Sequence, residues 1–306
     1  MVCVYFLFLN IFTSAYASEK VVILTFDDDW KGQYLYVKPI LEKYNFKGTF
    51  FVTCNCLTYH NSTVCNNSAK QGSVMTWEDI NSLQKAGHDI ESHGMSHIDL
   101  TNVPQNVLDY EIGQSKQCLL DHNINSTVFA NAFSTGWDNS TIINTVAKYY
   151  DLARNGYALL TYLKCNEWKN NSNQTDCRTY FDNGTLTYAN RYSIRTGDHN
   201  YLDRTYRNNS AKILEGFIED VNSQADYNND KEINAVPIVV YHNFADVKHN
   251  FSSIDPDWID STTDINLFDR EMKYLYDNDF KLLTMDDLGY NKTSNQIYIK
   301  NLQGIG

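Results

Sequence analysis

Two histidines four residues apart, His93 and His97 in "ESHGMSH", and three consecutive carboxylates, Asp27, Asp28 and Asp29 in "VVILTFDDDW", are the residues of this chain whose types and spacing invite chemistry. An i, i+4 pair on a helical turn brings two imidazoles onto one face, close enough to share a divalent cation. An aspartate from another segment would complete a site of two histidines and one carboxylate, with a position open for water. Adjacent carboxylates repel one another. A bound cation neutralises one and leaves its neighbour free to take a proton. A zinc protease of the H-E-x-x-H type needs Glu after the first histidine; Gly94 stands there, which excludes that class. "DYNNDKE" (Asp226, Asn228, Asp230, Glu232) begins like a calcium loop, but it lacks the sixth-position glycine and has Pro237 where the closing glutamate belongs, so it reads as a solvated loop.

The segments around these residues alternate in type. "VVILTF" is a buried-type strand, "YLYVKPILEKYNF" a helix of apolar spacing near 3.6, and "GTFFVT" a second strand, together a β-α-β unit. A polar loop from Asn55 to Gly72 leads to the helix "MTWEDINSLQKAG", with Thr76 and Asp79 as N-cap signal and Gly87 as stop, and then to the strand "HDIESH". "LDYEIGQSKQCLLDH", "NSTIINTVAKYY", "SAKILEGFIEDVNSQ" and "INLFDREMKYLYDND" read as helices, and "STVFANAF", "DLARNGY" and "AVPIVVYHNF" as extended segments. Such alternation predicts an α/β fold with a mostly parallel sheet, open or closed into a barrel, whose catalytic groups gather at the carboxyl ends of the strands. Both the aspartate run and the histidine pair fall at such ends. No linker divides the chain, so residues 18–306 are expected to form a single domain. Residues 157–195 break the alternation with two cysteines and three sequons and read as an insertion outside the core layers.

A chain of 306 residues with 42% hydrophobic and 20% charged residues has the composition of a folded globular protein. A formal net charge of −12 and the lack of any basic stripe exclude a phosphate-tracking nucleic-acid surface. Residues 1–17 read as a cleaved signal peptide, an apolar segment ending in Ala15-Tyr16-Ala17, with an uncleaved anchor as the alternative because no Lys or Arg precedes Lys20. The segment is too short to span a bilayer comfortably, so no transmembrane span is expected in the mature chain. Loss of Cys3 with that segment leaves an even set, Cys54, Cys56, Cys65, Cys118, Cys165 and Cys177, suited to disulfides. Cys165 and Cys177 look like a local closure, with the pairing of the other four open. Sequons at Asn61, Asn66, Asn125, Asn139, Asn170, Asn173, Asn183, Asn208, Asn250 and Asn291 agree with a secreted glycoprotein.

"TFDDDWKGQYLYVKPILEKYNFKGTFFVT" and "MTWEDINSLQKAGHDIESHGMSHIDL" closely resemble the polysaccharide deacetylase family (NodB homology, carbohydrate esterase family 4), whose first motifs are T-F-D-D-G and H-[ST]-x-x-H. "PIVVYHNF" resembles its final L-x-H motif. The resemblance implies a distorted (β/α) barrel with about seven strands and one divalent metal, commonly zinc. Carried over by position, it implies Asp27 as catalytic base, Asp28, His93 and His97 as metal ligands, and His242 as general acid. It also implies the reaction: hydrolysis of an N-acetyl group on an amino-sugar polymer or oligosaccharide, by a monomer, with Phe133 lending a backbone N–H to the oxyanion. Asp29 replaces the usual glycine of the first motif and Gly94 the usual Ser or Thr of the second. In the third motif, R-x-P-[YF], Ala130 and Ala132 replace Arg and Pro, as in a subset with an F-A-Y-P-F-G version; there a later D-x-A-R strand implies Arg154 as the partner of Asp27, with a plain rim salt bridge as the alternative. Trp30 and Trp137, beside motifs, are candidates to stack on sugar rings. Two other functions fit the same fold: a carbohydrate-binding protein that has lost turnover, and an amidase acting on a non-sugar C–N bond.

Overall fold

The computed structural model describes residues 19–59, 74–132, 139–155, 159–163, 191–206, 209–228, 232–246, 261–294 and 296–300. The signal segment, Phe133, Trp137, Cys65, Cys165 and Cys177 lie outside the described residues.

The chain runs β1 (Val21–Asp27), a π-helical turn (Gln33–Val37) into α1 (Lys38–Lys43), β2 (Thr49–Val52), α2 (Cys54–Tyr59), α3 (Trp77–Lys85) and β3 (Asp89–Ser92). It continues through α4 (Gln105–Leu108), a second π-helical stretch (Asp109–Gln114) and α5 (Ser115–Asp121) to β4 (Val128–Ala130), α6 (Ser140–Val146), β5 (Leu152–Arg154) and β6 (Leu160–Tyr162). Then come β7 (Gly197–Asp198), α7 (Asn200–Thr205), α8 (Ser210–Asn222), β8 (Ala235–Tyr241), β9 (Asn243–Ala245), β10 (Thr262–Asp264), α9 (Ile265–Asp277), β11 (Lys281–Leu283), β12 (Leu288–Asn291) and β13 (Gln296–Ile299).

Seven strands curl into a partial barrel in the order β5-β4-β3-β2-β1-β8-β6, as the alternation of elements predicts. All adjacent pairs are parallel except β6 on β8. Every residue of β1 and β8 is buried, as expected of central strands covered on both faces. Phe26, Phe50, Tyr241 and Phe268 pack at ring centroid distances of 4.8 to 6.1 Å between the sheet and its helices; each such pair adds about 0.5–1.5 kcal/mol beyond its burial. Thr76 and Asp79 form a reciprocal capping box on α3, as their spacing predicts.

The stretch 157–195 needs correction at both flanks. Leu160–Tyr162 pairs with the start of β8, and Ile194 bridges Arg154, so these residues extend the sheet instead of leaving it. Ordinary backbone pairing explains the miss: an edge segment needs no apolar period once its N–H and C=O groups find a ladder. Cys54 and Cys118 form a disulfide joining α2 to α5, and Cys56 is disulfide-bonded too. Asn228 corrects the solvated-loop reading of "DYNNDKE". It is buried and its Oδ1 accepts from the N–H groups of Asn234 and Ala235. Among the described residues, no helix is long and apolar enough to cross a membrane.

Candidate active site and metal centre

Because the central strands are parallel, their carboxyl ends share one edge, and the motif residues meet there. Asp27 closes β1, His93 follows β3, Arg154 closes β5 and His242 follows β8. After Asp27 the backbone turns through two left-handed residues, Asp28 (φ 73) and Asp29 (φ 58). Aspartate tolerates this region better than most side chains, and glycine best of all. That is the physical reason a motif ending in glycine can end in Asp29. The turn also separates the three carboxylates. Asp27 Oδ1 accepts from Arg154 Nη2, Asp28 Oδ1 faces the histidines, and Asp29 turns inward to accept from the Thr53 N–H at 2.9 Å. Burial pushes the Asp29 carboxyl well above the usual carboxylate range.

Asp28 Oδ1 lies 3.3 Å from His93 Nε2 and 3.1 Å from His97 Nε2, and one ligand atom from each of the three residues falls within 4.8 Å of the others. Neighbouring ligands on a tetrahedral zinc with bonds of about 2.0–2.2 Å stand roughly 3.4 Å apart, so the two distances from Asp28 to the histidines already match the edges such an ion requires. Asp28 Oδ1 is buried and makes no hydrogen bond, an orphaned acceptor that a cation would satisfy. His93 Nδ1 meets the Ala130 carbonyl at 3.1 Å; donation there leaves Nε2 with its lone pair toward Asp28, the tautomer a metal needs. Burial raises the Asp28 carboxyl, but the His97 and His93 rings outweigh it and hold it well below the usual range. His97 responds in kind: burial lowers its pKa, and Asp28 more than offsets this, leaving it raised. These residues fit a divalent ion. Among the described residues they form the one cluster of three such side chains.

Asp27 keeps its second oxygen on the histidine side, Oδ2 standing 3.7 Å from His93 Nε2. Arg154 is 4% exposed and its guanidinium lies over the Phe51 ring at 4.2 Å, so the pair with Asp27 is a buried one and not a rim bridge. Its origin is legible in the strand register, where Arg154 sits directly beside Ala130. The guanidinium missing from position 130 is thus delivered one strand over. Across a cavity of about 530 Å³, lined by Asp27, Arg154 and His242 among others, His242 Nδ1 lies 2.6 Å from Asn200 Nδ2 and 3.9 Å from Asp198 Oδ1. The Gln33 side chain ties the two sides together, donating to the Asp27 carbonyl at 2.5 Å and the His242 carbonyl at 2.9 Å.

Trp30 is a correction. It is 5% exposed and its backbone bridges Val74, which leaves no ring face for a sugar. The tryptophan beside the first motif is held by the core because the left-handed turn folds the chain back under the sheet end. Asp198, Asn200, Gln33 and Glu111 were not singled out in the sequence, and no local pattern marks them: each acts through a partner more than a dozen residues away.

The family model for polysaccharide deacetylases matches residues 14–151. A "Putative polysaccharide deacetylase YxkH" of Bacillus subtilis is 25% identical over 131 residues, 43% of this chain and 42% of that protein. The chain therefore spans about two fifths of the curated relative it matches. Among solved structures, the Streptococcus pyogenes deacetylase PplD in complex with acetate shares 26% identity, with 46% of this chain and 58% of that one covered at a TM-score of 0.40. A wild-type CE4-family pseudoenzyme from Bacillus anthracis superposes over 88% of this chain and 64% of its own at 12% identity and a TM-score of 0.51, which shows a shared fold. The matched stretch holds the strands that carry both the aspartate and the histidine motifs, and over it the chain is similar to the polysaccharide deacetylase family.

Proposed function

We propose that this protein is a secreted hydrolase that uses one divalent metal ion, zinc, to remove N-acetyl groups from an N-acetylated amino-sugar polysaccharide or oligosaccharide. The observation that carries this reading is the separation of Asp27 from Asp28: consecutive carboxylates aimed at different partners, one at Arg154 and one at the two imidazoles. A protein that only bound a glycan would have no use for an unliganded buried carboxylate beside a metal site and a histidine across the cavity.

Asp28, His93 and His97 would hold the ion, which when bound supplies Lewis acidity, acidifying a water and polarising the acetyl carbonyl. Asp27, its Oδ1 pinned by Arg154, presents Oδ2 to take a proton from the attacking water. The water oxygen bonds to the carbonyl carbon, and the carbonyl oxygen gathers negative charge. His242, oriented by Asn200 and Asp198, then gives a proton to the amide nitrogen as the C–N bond breaks, releasing acetate and a free amine. Phe133 is assigned the backbone N–H that meets the oxyanion, and Trp137 a place at the glycan rim.

The shared fold does not by itself separate an enzyme from a pseudoenzyme, since the Bacillus anthracis protein has it. Delivery of Arg154 to the position opposite Ala130 supports turnover in spite of the altered third motif. Disulfides at Cys54–Cys118 and Cys56, together with the sequons, support secretion. The test is to measure metal content by elemental analysis and acetate release from a panel of N-acetylated glycans, for wild type and Asp27→Asn. Metal retained by both, with acetate release lost about 10²–10⁴-fold in the variant, is expected of a general base. Metal bound and no acetate from any glycan would reassign the chain as a binding protein.

A further inference from the structure

We propose that Glu111 is a positioning residue for the metal-binding loop, bracing from a neighbouring helix the turn that delivers His97; this rests on the reading that Asp28, His93 and His97 hold the cation. The motif position that carries Ser or Thr in the family is Gly94 here, and its φ of +88° is one that side chains rarely adopt. With no hydroxyl at 94, the loop needs another source of order. Glu111 Oε2 supplies it, accepting from the N–H groups of Met95 at 3.1 Å and Ser96 at 2.8 Å. The Glu111 side chain is 4% exposed and comes from the π-helical stretch that leads into α5.

The opposite side of the turn is held as firmly. The carbonyls of Gly94 and Met95 accept from the N–H groups of Cys54 and Asn55 at 3.2 and 2.9 Å, and Asn55 Nδ2 donates to Ser96 Oγ at 2.7 Å. Free N–H groups at the start of a helix need acceptors, and this turn provides them. The Cys54–Cys118 disulfide ties α2 to α5, so the two walls of the clamp are covalently joined. His97 enters the site in a left-handed conformation, φ 55, which is uncommon for any residue but glycine. Removal of the Glu111 carboxylate frees two half-buried N–H groups to rotate, and His97 moves with them.

The experiment titrates the metal-free full chain with Co²⁺, following the visible d–d absorption, and with Zn²⁺ by chelator competition. Glu111→Ala is expected to weaken affinity about 10–100-fold, as loss of an outer partner of a metal site does, and to change the Co²⁺ band shape. Glu111→Gln keeps an acceptor oxygen and is expected to stay within about threefold of wild type. Wild-type affinity and spectrum in folded Glu111→Ala would overturn the proposal. If that variant does not fold, Glu111→Asp, which retracts the carboxylate by one methylene, takes its place with the same two outcomes. Hydrogen exchange at the Met95 and Ser96 amides, measured without metal, separates the brace from the metal reading. Slow exchange in wild type and fast exchange in the variant support the brace even if the wild type takes up neither ion, whereas equal rates overturn it.

Discussion

At positions 27 to 29 the chain spends two left-handed residues, each costing about 1–2 kcal/mol in an L-residue, to send three carboxylates in three directions. Such strain persists only where the surroundings over-determine it, and here each aspartate has a fixed partner on a different strand or loop. Arg154 is the partner that most directly bears on chemistry. Arg154→Ala is expected to lower kcat about 100-fold with KM nearly unchanged, because a misplaced base costs about that much. Arg154→Lys should recover only part of it, since a lysine lacks the planar fork and stacks less well on Phe51. Steady-state deacetylation kinetics on folded variants decide this, and an unchanged kcat removes Arg154 from the mechanism.

Among the elements, the loop between β1 and α1 fixes how far apart Asp27 and His242, the proposed base and acid, stand. A Cβ on Gly32 would lie 2.2 Å from the Phe244 carbonyl oxygen, so only glycine lets this loop reach β9. That approach is what places Gln33 against the carbonyls of both Asp27 and His242. Gly32→Ala is expected to destabilise the protein by about 1–3 kcal/mol, as overpacking does, and to depress kcat more than KM as Gln33 shifts. A thermal melt and kinetics on the same preparation check the pair of effects; a wild-type melt with wild-type kcat would mean that the loop has slack. On the far side of the site, α7 is anchored by His199, buried between Asp203 Oδ2 at 3.1 Å and Glu271 Oε1 at 2.8 Å. Burial lowers the His199 pKa, but the two carboxylates outweigh it and hold the ring well above its usual range, as a cation. The next residue, Asn200, is the one that meets His242.

For the molecule as a whole, acid sensitivity is expected from a histidine that folds uncharged. His88 is buried, its Nδ1 accepting from the Gly48 N–H, and burial with the nearby Lys47 pushes its pKa from 6.5 down to about 4. The unfolded chain therefore binds a proton that the native state refuses between those two values. Stability is intact above about pH 6.5 and is lost as pH falls toward 4, by about 3 kcal/mol from this group alone. His88→Asn places an amide oxygen near the Nδ1 position and is expected to flatten that window. Urea unfolding at pH 7, 5.5 and 4 tests it, and parallel curves for the two proteins would assign the acid loss elsewhere.

Most of the strands and helices, the capping box on α3, the parallel sheet and the motif positions were legible in the sequence, because apolar period and cap chemistry are local properties of a chain; α2, inside the stretch read as a polar loop, and the edge strand β6 were not. The chemical identity of the cluster, one aspartate with two histidines, was legible as well through its resemblance to a family. What only the tertiary structure decided is how those groups are held. The register that sets Arg154 beside Ala130, the carbonyl of Ala130 on His93, the Gln33 bridge and the Glu111 brace are contacts between distant segments. Trp30 was drawn into the core for the same reason. A side chain's type states what it can donate or accept, and long-range packing alone determines which partner stands within 3 Å of it.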